Sequence, residues 1–232
     1  ILLKKENPEI LTIHIQNPKV NLKNFDIIIA PEHDGLTGNN IFTSKGAIHY
    51  ITDSEINEAK NYLSDKIKSK KIVSLILGGP NKYYSFNKNQ LAKIFSEVKF
   101  NFVSKGYEVI VIPSMRTPKD IIDLANFFFN ENGCVLNSVD KKAYLSSLAL
   151  AETIVVTCDS TSMISEAATS GKPIFVAHMQ AKKNNYRFKK FFKLFKEIGI
   201  IKDLGEKVES WNYIKLNEAE RIAKEISAKI KK

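Results

Sequence analysis

Blocks of apolar residues alternate with amphipathic segments along residues 71–216, and this pattern predicts strands and helices in turn. The β-branched and leucine-rich run Ile72–Leu77 is typical of a strand buried on both faces, and Gly78-Gly79-Pro80 ends it in a turn. Residues 88–105 instead place apolar side chains three and four positions apart, the spacing of one helix face, and Gly106 ends this helix. The predicted strands are residues 72–77, 108–112, 133–136, 153–158 and 174–177, and the predicted helices are residues 88–105, 118–131, 141–151 and 161–170.

Strands that alternate with helices in this way predict an α/β fold, a doubly wound parallel sheet of Rossmann-like form. Residues 1–70 follow a weaker pattern, with strands at 10–16 and 26–30, a Gly- and Asn-rich loop at 31–40 and a helix at 53–70. Two strands and one helix cannot close a core alone, so we expect the tail of an amino-terminal α/β domain whose opening strands precede this chain. We expect the last helix, residues 217–231, to pack back against it. The predicted domains are residues 1–70, 71–216 and 217–232.

Lysine and arginine outnumber aspartate and glutamate by 35 to 25, for a formal net charge of +10. The excess suits nucleic acid, a membrane surface or phosphate-bearing ligands, but no zinc-finger spacing or aromatic ribonucleoprotein motif is present, so nucleic acid is not a predicted partner. Cys134 and Cys158 each lie in an apolar run and are predicted to be reduced, buried thiols of a cytoplasmic protein. The four histidines are widely spread, so no metal site is predicted. No apolar run approaches the roughly 20 residues of a membrane span.

The segment from Asp159 to Glu166 places small hydroxyl side chains at the start of a predicted helix. Ser160 and Ser162 would face an anion there, together with unpaired backbone N–H groups, and a diphosphate fits that description. Glu166 lies one helical turn beyond Ser162, so its carboxylate can share that face and accept hydrogen bonds from the two hydroxyls of a ribose. The alternative is a helix capped by Asp159 or Ser160, with Glu166 in solvent.

Two further loops follow predicted strands at the same sheet edge. Gly78 and Gly79 would let backbone amides approach a phosphate, although they match neither the GxGxxG nor the P-loop pattern. Arg116 and Thr117 follow the next strand, where a guanidinium can hold a phosphate in a two-pronged contact. The alternatives are an ordinary tight turn and a surface arginine beside a proline that starts a helix.

His33 and Asp34 group an imidazole with a carboxylate directly after the strand at residues 26–30. The pair could act as a general base if it faces a crevice between the domains. Adjacent residues of a strand point to opposite faces, so their pairing requires a turn; the alternative is a structural loop. His49 is a second candidate for the same crevice.

A basic segment lies near the end of the chain and also carries a phenylalanine stripe at helical spacing, Phe188, Phe191, Phe192 and Phe195. A basic amphipathic helix can lie on an anionic lipid surface. The interpretation we favour is a solvated helix whose phenylalanine face packs on the sheet. The basic residues are Lys182, Lys183, Arg187, Lys189, Lys190, Lys193 and Lys196.

Several short strings, in order along residues 26–217, form a specific set. They are APEHDGLTGNN (30–40), KGAIH (45–49), LGGP (77–80), MRTP (115–118), Asp159-Ser160, Ser162-Met163, Glu166-Ala167, GKP (171–173), Arg187-Phe188 and WNY (211–213). As a set they resemble the plant mitochondrial-fission protein named for elongated mitochondria and its bacterial relatives. The resemblance implies a two-domain, glycosyltransferase-like fold of the GT-B type, with a nucleotide on the carboxyl-terminal sheet. In similar transferases a glutamate before a Gly-x-Pro element holds the ribose, and Glu166 matches that place.

The resemblance and the candidate residues together predict a transferase that binds a nucleoside-diphosphate sugar and passes the sugar to a cell-envelope acceptor. Glu166 would bind the ribose, and His33 or Asp34 would activate the acceptor hydroxyl. No cofactor or metal is expected, since amides and Arg116 would stabilise the leaving diphosphate. The alternatives are a non-catalytic, membrane-associated fission or interaction protein and a sugar-nucleotide epimerase. The expected location is the cytoplasm, with the basic segment as a route to the inner membrane. The predicted diphosphate ligands are Gly78, Gly79, Arg116, Thr117, Ser160 and Ser162.

Overall fold

The computed structural model describes residues 2–205 and 207–230, which form two parallel sheets. The smaller sheet has the strand order β1-β2-β3, and the larger sheet has the order β6-β5-β4-β7-β8-β9. The strands are β1 (Ile13–Ile15), β2 (Ile27–Pro31), β3 (Ile41–Ser44), β4 (Ile72–Leu77), β5 (Glu108–Pro113), β6 (Gly133–Val135), β7 (Thr153–Thr157), β8 (Ile174–Ala177) and β9 (Ile201–Asp203). The helices are α1 (Leu2–Glu6), α2 (Asp53–Glu58), α3 (Lys88–Asn101), α4 (Lys119–Phe129), α5 (Lys141–Leu150), α6 (Thr161–Ala167), α7 (Tyr186–Glu197) and α8 (Glu218–Ile230).

The larger sheet is buried on both faces, as its apolar strands predict. Leu75 of β4 pairs with Val111 and Val155 on its two neighbours, and these three side chains point to the face covered by α3 and α4. Ile76 points to the opposite face, where α5, α6 and α7 cover the sheet. Because side chains of a strand alternate between faces, one apolar run supplies both cores. The prediction of a doubly wound parallel sheet is confirmed.

Two predictions for the larger sheet are wrong in detail. A sixth strand, β9, pairs with β8 at the sheet edge and was not predicted, because its three residues carry only one fully buried apolar side chain, Ile201. The helix predicted for residues 88–105 ends at Asn101, and a 3₁₀ turn over Val103–Lys105 follows it. Gly106 caps that turn with a φ of 83°, which is the conformation that favours glycine.

The smaller sheet contains a strand that the sequence pattern did not reveal. β3 pairs with β2, with Phe42 opposite Ile29, directly after the predicted loop at residues 31–40. β1 is shorter than the predicted strand at 10–16 and pairs with β2, with Ile15 opposite Ile29. Strands of three or four residues with exposed positions give little local signal, so their pairing depends on tertiary contacts.

The helix predicted for residues 53–70 is mostly absent. Only α2 is α-helical, started by a capping box between Thr52 and Glu55, and two short 3₁₀ turns follow it. Leu63 is fully buried between those turns, and its backbone N–H donates to Ser146 Oγ of α5 at 3.1 Å. Burying Leu63 against α5 therefore replaces regular helix in this segment.

The last helix, α8, lies on the smaller sheet. Its Ile222 and Ile226 form an apolar cluster with Ile27 and Ile29 of β2. The Glu218 carboxylate also accepts a hydrogen bond of 2.6 Å from the backbone N–H of Lys45. The chain thus returns to its first sheet after completing the second, while the domain boundaries stay predictions. Among the described residues, no helix is long and apolar enough to cross a membrane.

Candidate functional site

Two cavities flank α6, the helix that follows β7. The inter-sheet cavity, of about 340 Å³, lies between the carboxyl ends of the small sheet and the first turn of α6. The Glu166 cavity, of about 220 Å³, lies under the loop that follows β5. Ser162 lines the first cavity and Glu166, one turn later, lines the second. Ser160 caps the helix by accepting from the Met163 backbone N–H, as the alternative describes, while its role as a diphosphate ligand stays a prediction.

The Glu166 carboxylate is held from within the protein. Tyr144 Oη donates to Glu166 Oε2 at 3.0 Å, and burial of the side chain raises the pKa of Glu166. No described residue donates to its other oxygen, Oε1. The apolar walls of this cavity include Ile112, Pro113 and Met163. A carboxylate with one oxygen fixed and the other available beside apolar walls can accept from the hydroxyls of a ribose while a flat base contacts the walls.

The Gly78 and Gly79 amides are directed at the protein itself. Gly78 N–H donates to Thr157 Oγ1 at 2.8 Å, and Gly79 N–H donates to Asp159 Oδ2 at 2.9 Å. A Cβ atom on Gly78 would lie 2.1 Å from Asp159 Oδ2, so only glycine lets the two loops approach this closely. The Thr157 hydroxyl and the Asp159 carboxylate therefore occupy the positions where a bound anion would accept from the Gly78 and Gly79 amides.

Arg116 and Thr117 complete this internal cluster. Arg116 Nη2 lies 3.2 Å from Asp159 Oδ2, and its Nη1 donates to the Gly79 carbonyl at 2.9 Å. Thr117 Oγ1 donates to the carbonyls of Leu77 and Gly78. Asp159 is only 3% exposed, and its burial raises the pKa of the carboxyl despite the amide, hydroxyl and guanidinium groups around it. Neither cavity beside α6 is lined by Gly78, Gly79, Arg116 or Thr117.

His33 and Asp34 do lie together in the inter-sheet cavity. A 3₁₀ turn over Glu32–Asp34, capped by Gly35 at a φ of 68°, supplies the turn that their pairing requires. His33 Nε2 is 3.7 Å from Asp34 Oδ1, and Arg187 Nε of α7 is 2.6 Å from the same oxygen. The three side chains thus join the small sheet to the helices of the large one.

The His33 imidazole is uncharged at neutral pH. It is 6% exposed and packs edge-to-face on Phe191 at 5.4 Å between ring centroids. Burial lowers the pKa of His33 to about 4, and the Arg187 guanidinium acts in the same direction. Its Nδ1 atom has no hydrogen-bond partner among the described residues. A buried neutral imidazole with an unused nitrogen can take up a proton from a bound hydroxyl.

The loop after β1 lines the inter-sheet cavity and was missed in the sequence. Gln16, Asn17 and Lys19 all contribute to its wall. Gln16 has a φ of 82° and Lys19 a φ of 54°, in the left-handed region that non-glycine residues rarely adopt. Such strained positions concentrate at functional sites. The signal that could have found them is the Asn17-Pro18 pair, a turn dipeptide directly after a strand.

His49 does not line the inter-sheet cavity, although its neighbours Ala47 and Ile48 do. Its Nε2 lies 3.5 Å from Thr169 Oγ1, near the carboxyl end of α6. Burial lowers the pKa of His49 as well. The expectation that His49 faces the same crevice is therefore wrong.

The basic segment forms α7, and its phenylalanine face is buried. Phe191, Phe192 and Phe195 lie in the core beside the large sheet, while Lys189 and Lys190 are exposed. This is the favoured interpretation from the sequence, a solvated helix packed on the sheet through its apolar stripe.

Two parallel α/β sheets with candidate binding groups at facing carboxyl edges define a Rossmann-like protein of the GT-B type. Solved structures with this arrangement include the UDP-GlcNAc 2-epimerase of Methanocaldococcus jannaschii, with a TM-score of 0.56 and 16% identity over 98% of this chain and 72% of that one. The UDP-GlcNAc 2-epimerase of Neisseria meningitidis bound to UDP-GlcNAc has a TM-score of 0.51 and 11% identity over 95% of this chain and 71% of that one. At these identities the likeness shows the fold.

The chain belongs to the family described as Mitochondrial fission ELM1, whose model matches residues 1–230. The mitochondrial fission protein ELM1 of Arabidopsis thaliana is 26% identical over 98% of this chain and 60% of its own length. An uncharacterized protein of Rickettsia prowazekii (strain Madrid E) is 29% identical over 99% of this chain and 75% of its own length. The family resemblance inferred from the short strings is confirmed. The chain spans 60% of the length of the Arabidopsis relative.

Proposed function

We propose that this protein binds a nucleoside-diphosphate sugar and transfers the sugar to an acceptor of the cell envelope. The observation that carries the proposal is the Glu166 carboxylate, held by Tyr144 at 3.0 Å and lining a cavity one helical turn from the inter-sheet cavity. Both cavities adjoin α6, and in our proposal one extended ligand spans them. The GT-B-type fold, shared with epimerases of sugar nucleotides, supports the same ligand class.

The nucleoside half would lie in the Glu166 cavity. Its ribose hydroxyls would donate to Glu166 Oε1, and its base would contact Ile112, Pro113 and Met163. The diphosphate would then lie along the first turn of α6, where Thr161 and Ser162 line the inter-sheet cavity. A ligand could bind the Gly79 amide and Arg116 only by displacing the Asp159 carboxylate, and the Gly78 amide only by displacing the Thr157 hydroxyl. In our proposal these three residues therefore support the loops beside the site.

The sugar and the acceptor would meet in the inter-sheet cavity. The acceptor hydroxyl attacks the anomeric carbon, the bond from that carbon to the diphosphate oxygen breaks, and the nucleoside diphosphate leaves with the electron pair. The proton of the hydroxyl passes to the unused Nδ1 atom of His33, in the tautomer that carries its hydrogen on Nε2 toward Asp34, and Asp34 stabilises the imidazolium that forms. His33 and Asp34 keep in this way the catalytic roles expected from the sequence.

Nucleotide titration tests the proposal. UDP, GDP, CDP and ADP are titrated into the chain by calorimetry, and at least one is expected to bind. Glu166→Gln should lower the affinity for that nucleotide by about tenfold or more, since hydrogen bonds to charged groups contribute about 1.5–3 kcal/mol. Glu131→Gln, on an exposed turn far from both cavities, is the matched control. Absence of binding by all four nucleotides would refute the proposal.

The nearest alternative within enzymes is an epimerase, because the solved structures with this fold carry that name. An epimerase changes the sugar nucleotide without an acceptor, whereas a transferase releases nucleoside diphosphate only when an acceptor is present. Product analysis by mass spectrometry and NMR, with and without an envelope extract, separates the two.

We also propose that the basic face of α7 binds an anionic membrane surface on the cytoplasmic side. Residues 66–96 and 167–196 contain no acidic residue and meet at the Tyr84–Ala181 bridge. Since the phenylalanine side chains are buried, the attraction is electrostatic, at about 1 kcal/mol for each lysine near the surface. Lys189→Glu with Lys190→Glu should abolish flotation with anionic vesicles, whereas Lys105→Glu should not. Flotation that persists in the double variant would contradict this proposal.

A further inference from the structure

We propose that Lys19 and Arg187 form an anion-binding pair in the inter-sheet cavity, which holds a phosphate or carboxylate group of a substrate. Lys19 was not a candidate in the sequence, and Arg187 appeared there only within the basic segment and the family strings. The proposal deepens the proposed function and rests on it for the identity of the substrate, whereas the anion site itself can be tested alone.

The charges that line the cavity leave a positive excess. Lys19 and Arg187 are its basic residues, and Asp34 is the acidic residue among those that line it. Asp34 is already paired, since Arg187 Nε lies 2.6 Å from its Oδ1 atom. The His33 imidazole is neutral at pH 7 because burial lowers its pKa to about 4. One positive charge among the lining residues therefore has no acidic partner there, and it would attract an anion.

The Arg187 guanidinium is fixed in place while most of its donors stay available. Its Nε atom lies 2.6 Å from the buried Asp34 carboxylate, which sets its orientation, and its Nη2 atom lies beside the His33 ring. The Arg187 side chain is nevertheless 57% exposed and lines the cavity. A guanidinium held by one edge can present the other edge to a phosphate or carboxylate in a two-pronged contact. Asp34 is a positioning residue in this arrangement.

The loop that carries Lys19 is held in a costly conformation. Lys19 and Gln16 both have positive φ angles, and Asn17 Oδ1 accepts from the Lys19 backbone N–H at 2.9 Å, which fixes the turn. Backbone strain of this kind persists where the surrounding structure requires it, and it clusters at ligand sites. Here it places Lys19 at the cavity wall, opposite the helix that carries Arg187.

The third observation is a buried polar atom without a partner. His33 is 6% exposed and lines the cavity, yet its Nδ1 has no hydrogen-bond partner among the described residues. Buried polar atoms are normally paired, so an unpaired one at a cavity wall points to a missing ligand group. A substrate oxygen bound by Lys19 and Arg187 would bring such a group within reach.

Calorimetry with small probes tests the anion site without assuming a nucleotide. Inorganic phosphate and acetate are titrated into the full chain and into Lys19→Gln and Arg187→Gln. Each variant should bind phosphate with about tenfold lower affinity, because it loses one charge-assisted hydrogen bond. Lys23→Gln is the matched control, since Lys23 is an exposed lysine of the turn between β1 and β2 and does not line this cavity; it should leave the affinity unchanged. Circular dichroism checks that each variant is folded.

A second set of titrations identifies the source of the anion. If the pair binds the donor, Lys19→Gln should lower the affinity for UDP by about tenfold and leave the affinity for uridine unchanged. If the pair binds the acceptor, the affinity for UDP should be the same in Lys19→Gln and the wild type. The variant should instead bind glucuronate or glycerol 3-phosphate, added at saturating UDP, more weakly than the wild type does. The inference is overturned if the wild type does not bind phosphate. It is also overturned if the wild type and both variants bind phosphate with equal affinity. Failure of the proposed function is a different result, in which neither uridine nor any nucleotide binds.

Discussion

Lowering the pH from 7 to 5 should destabilise this protein through His33. The imidazole is buried and uncharged in the folded state, with a pKa of about 4, against 6.5 for an unperturbed histidine. Between these two values the unfolded chain binds a proton that the folded protein does not, so the free energy of unfolding falls as the pH falls. This difference in proton binding lowers the free energy of unfolding by about 2 kcal/mol at pH 5 and by about 3 kcal/mol at pH 4.

Urea unfolding measured by circular dichroism at pH 7, 6 and 5 gives this dependence directly. Carboxylates that titrate elsewhere contribute to the wild type and to a variant alike, so the informative quantity is the difference between the wild type and His33→Gln. Glutamine is polar and uncharged at every pH, so its own cost at this site does not change with pH. Between pH 7 and pH 5 the free energy of unfolding should fall by about 2 kcal/mol less in the variant than in the wild type. Equal losses in the two proteins would show that His33 is not buried and neutral, and would remove the basis for its role as a proton acceptor.

Four other predictions follow from contacts in the structure. Asp159→Ala should lower the free energy of unfolding by about 2–4 kcal/mol, because the Gly79 N–H and the Thr157 hydroxyl lose a buried acceptor. Gly78→Ala should also destabilise, but less when Asp159→Ala is present, since the added Cβ meets that carboxylate at 2.1 Å; additive losses in urea unfolding would contradict this. Tyr144→Phe should weaken nucleotide binding by about threefold to tenfold and leave phosphate binding unchanged in calorimetry. Ile222→Ala should cost about 2–4 kcal/mol in urea unfolding by opening the contact between α8 and β2, and an exposed control, Ser227→Ala, should cost little.

The long strands of the large sheet could be predicted because their signal is local. β4, β5 and β7 each bury nearly every residue, so short and mostly apolar, β-branched runs specify the element by themselves. β3 and β9 have three or four residues and become strands by pairing with a partner already in place. The segment after α2 shows the opposite case, where burial of Leu63 against α5 outweighs a helical pattern.

The sequence by itself determined the class of fold, the family and the position of Glu166 on the helix after β7, because periodicity, glycine turns and helical spacing are properties of neighbouring residues. Only the tertiary structure decided which groups face one another. It turned the amides of Gly78 and Gly79 toward Thr157 and Asp159, and it brought Arg187 to His33 across 154 positions of the chain. The physical reason is that hydrogen bonds, ion pairs and burial act over a few ångströms in space, and chain order does not encode that proximity until the sheets have packed.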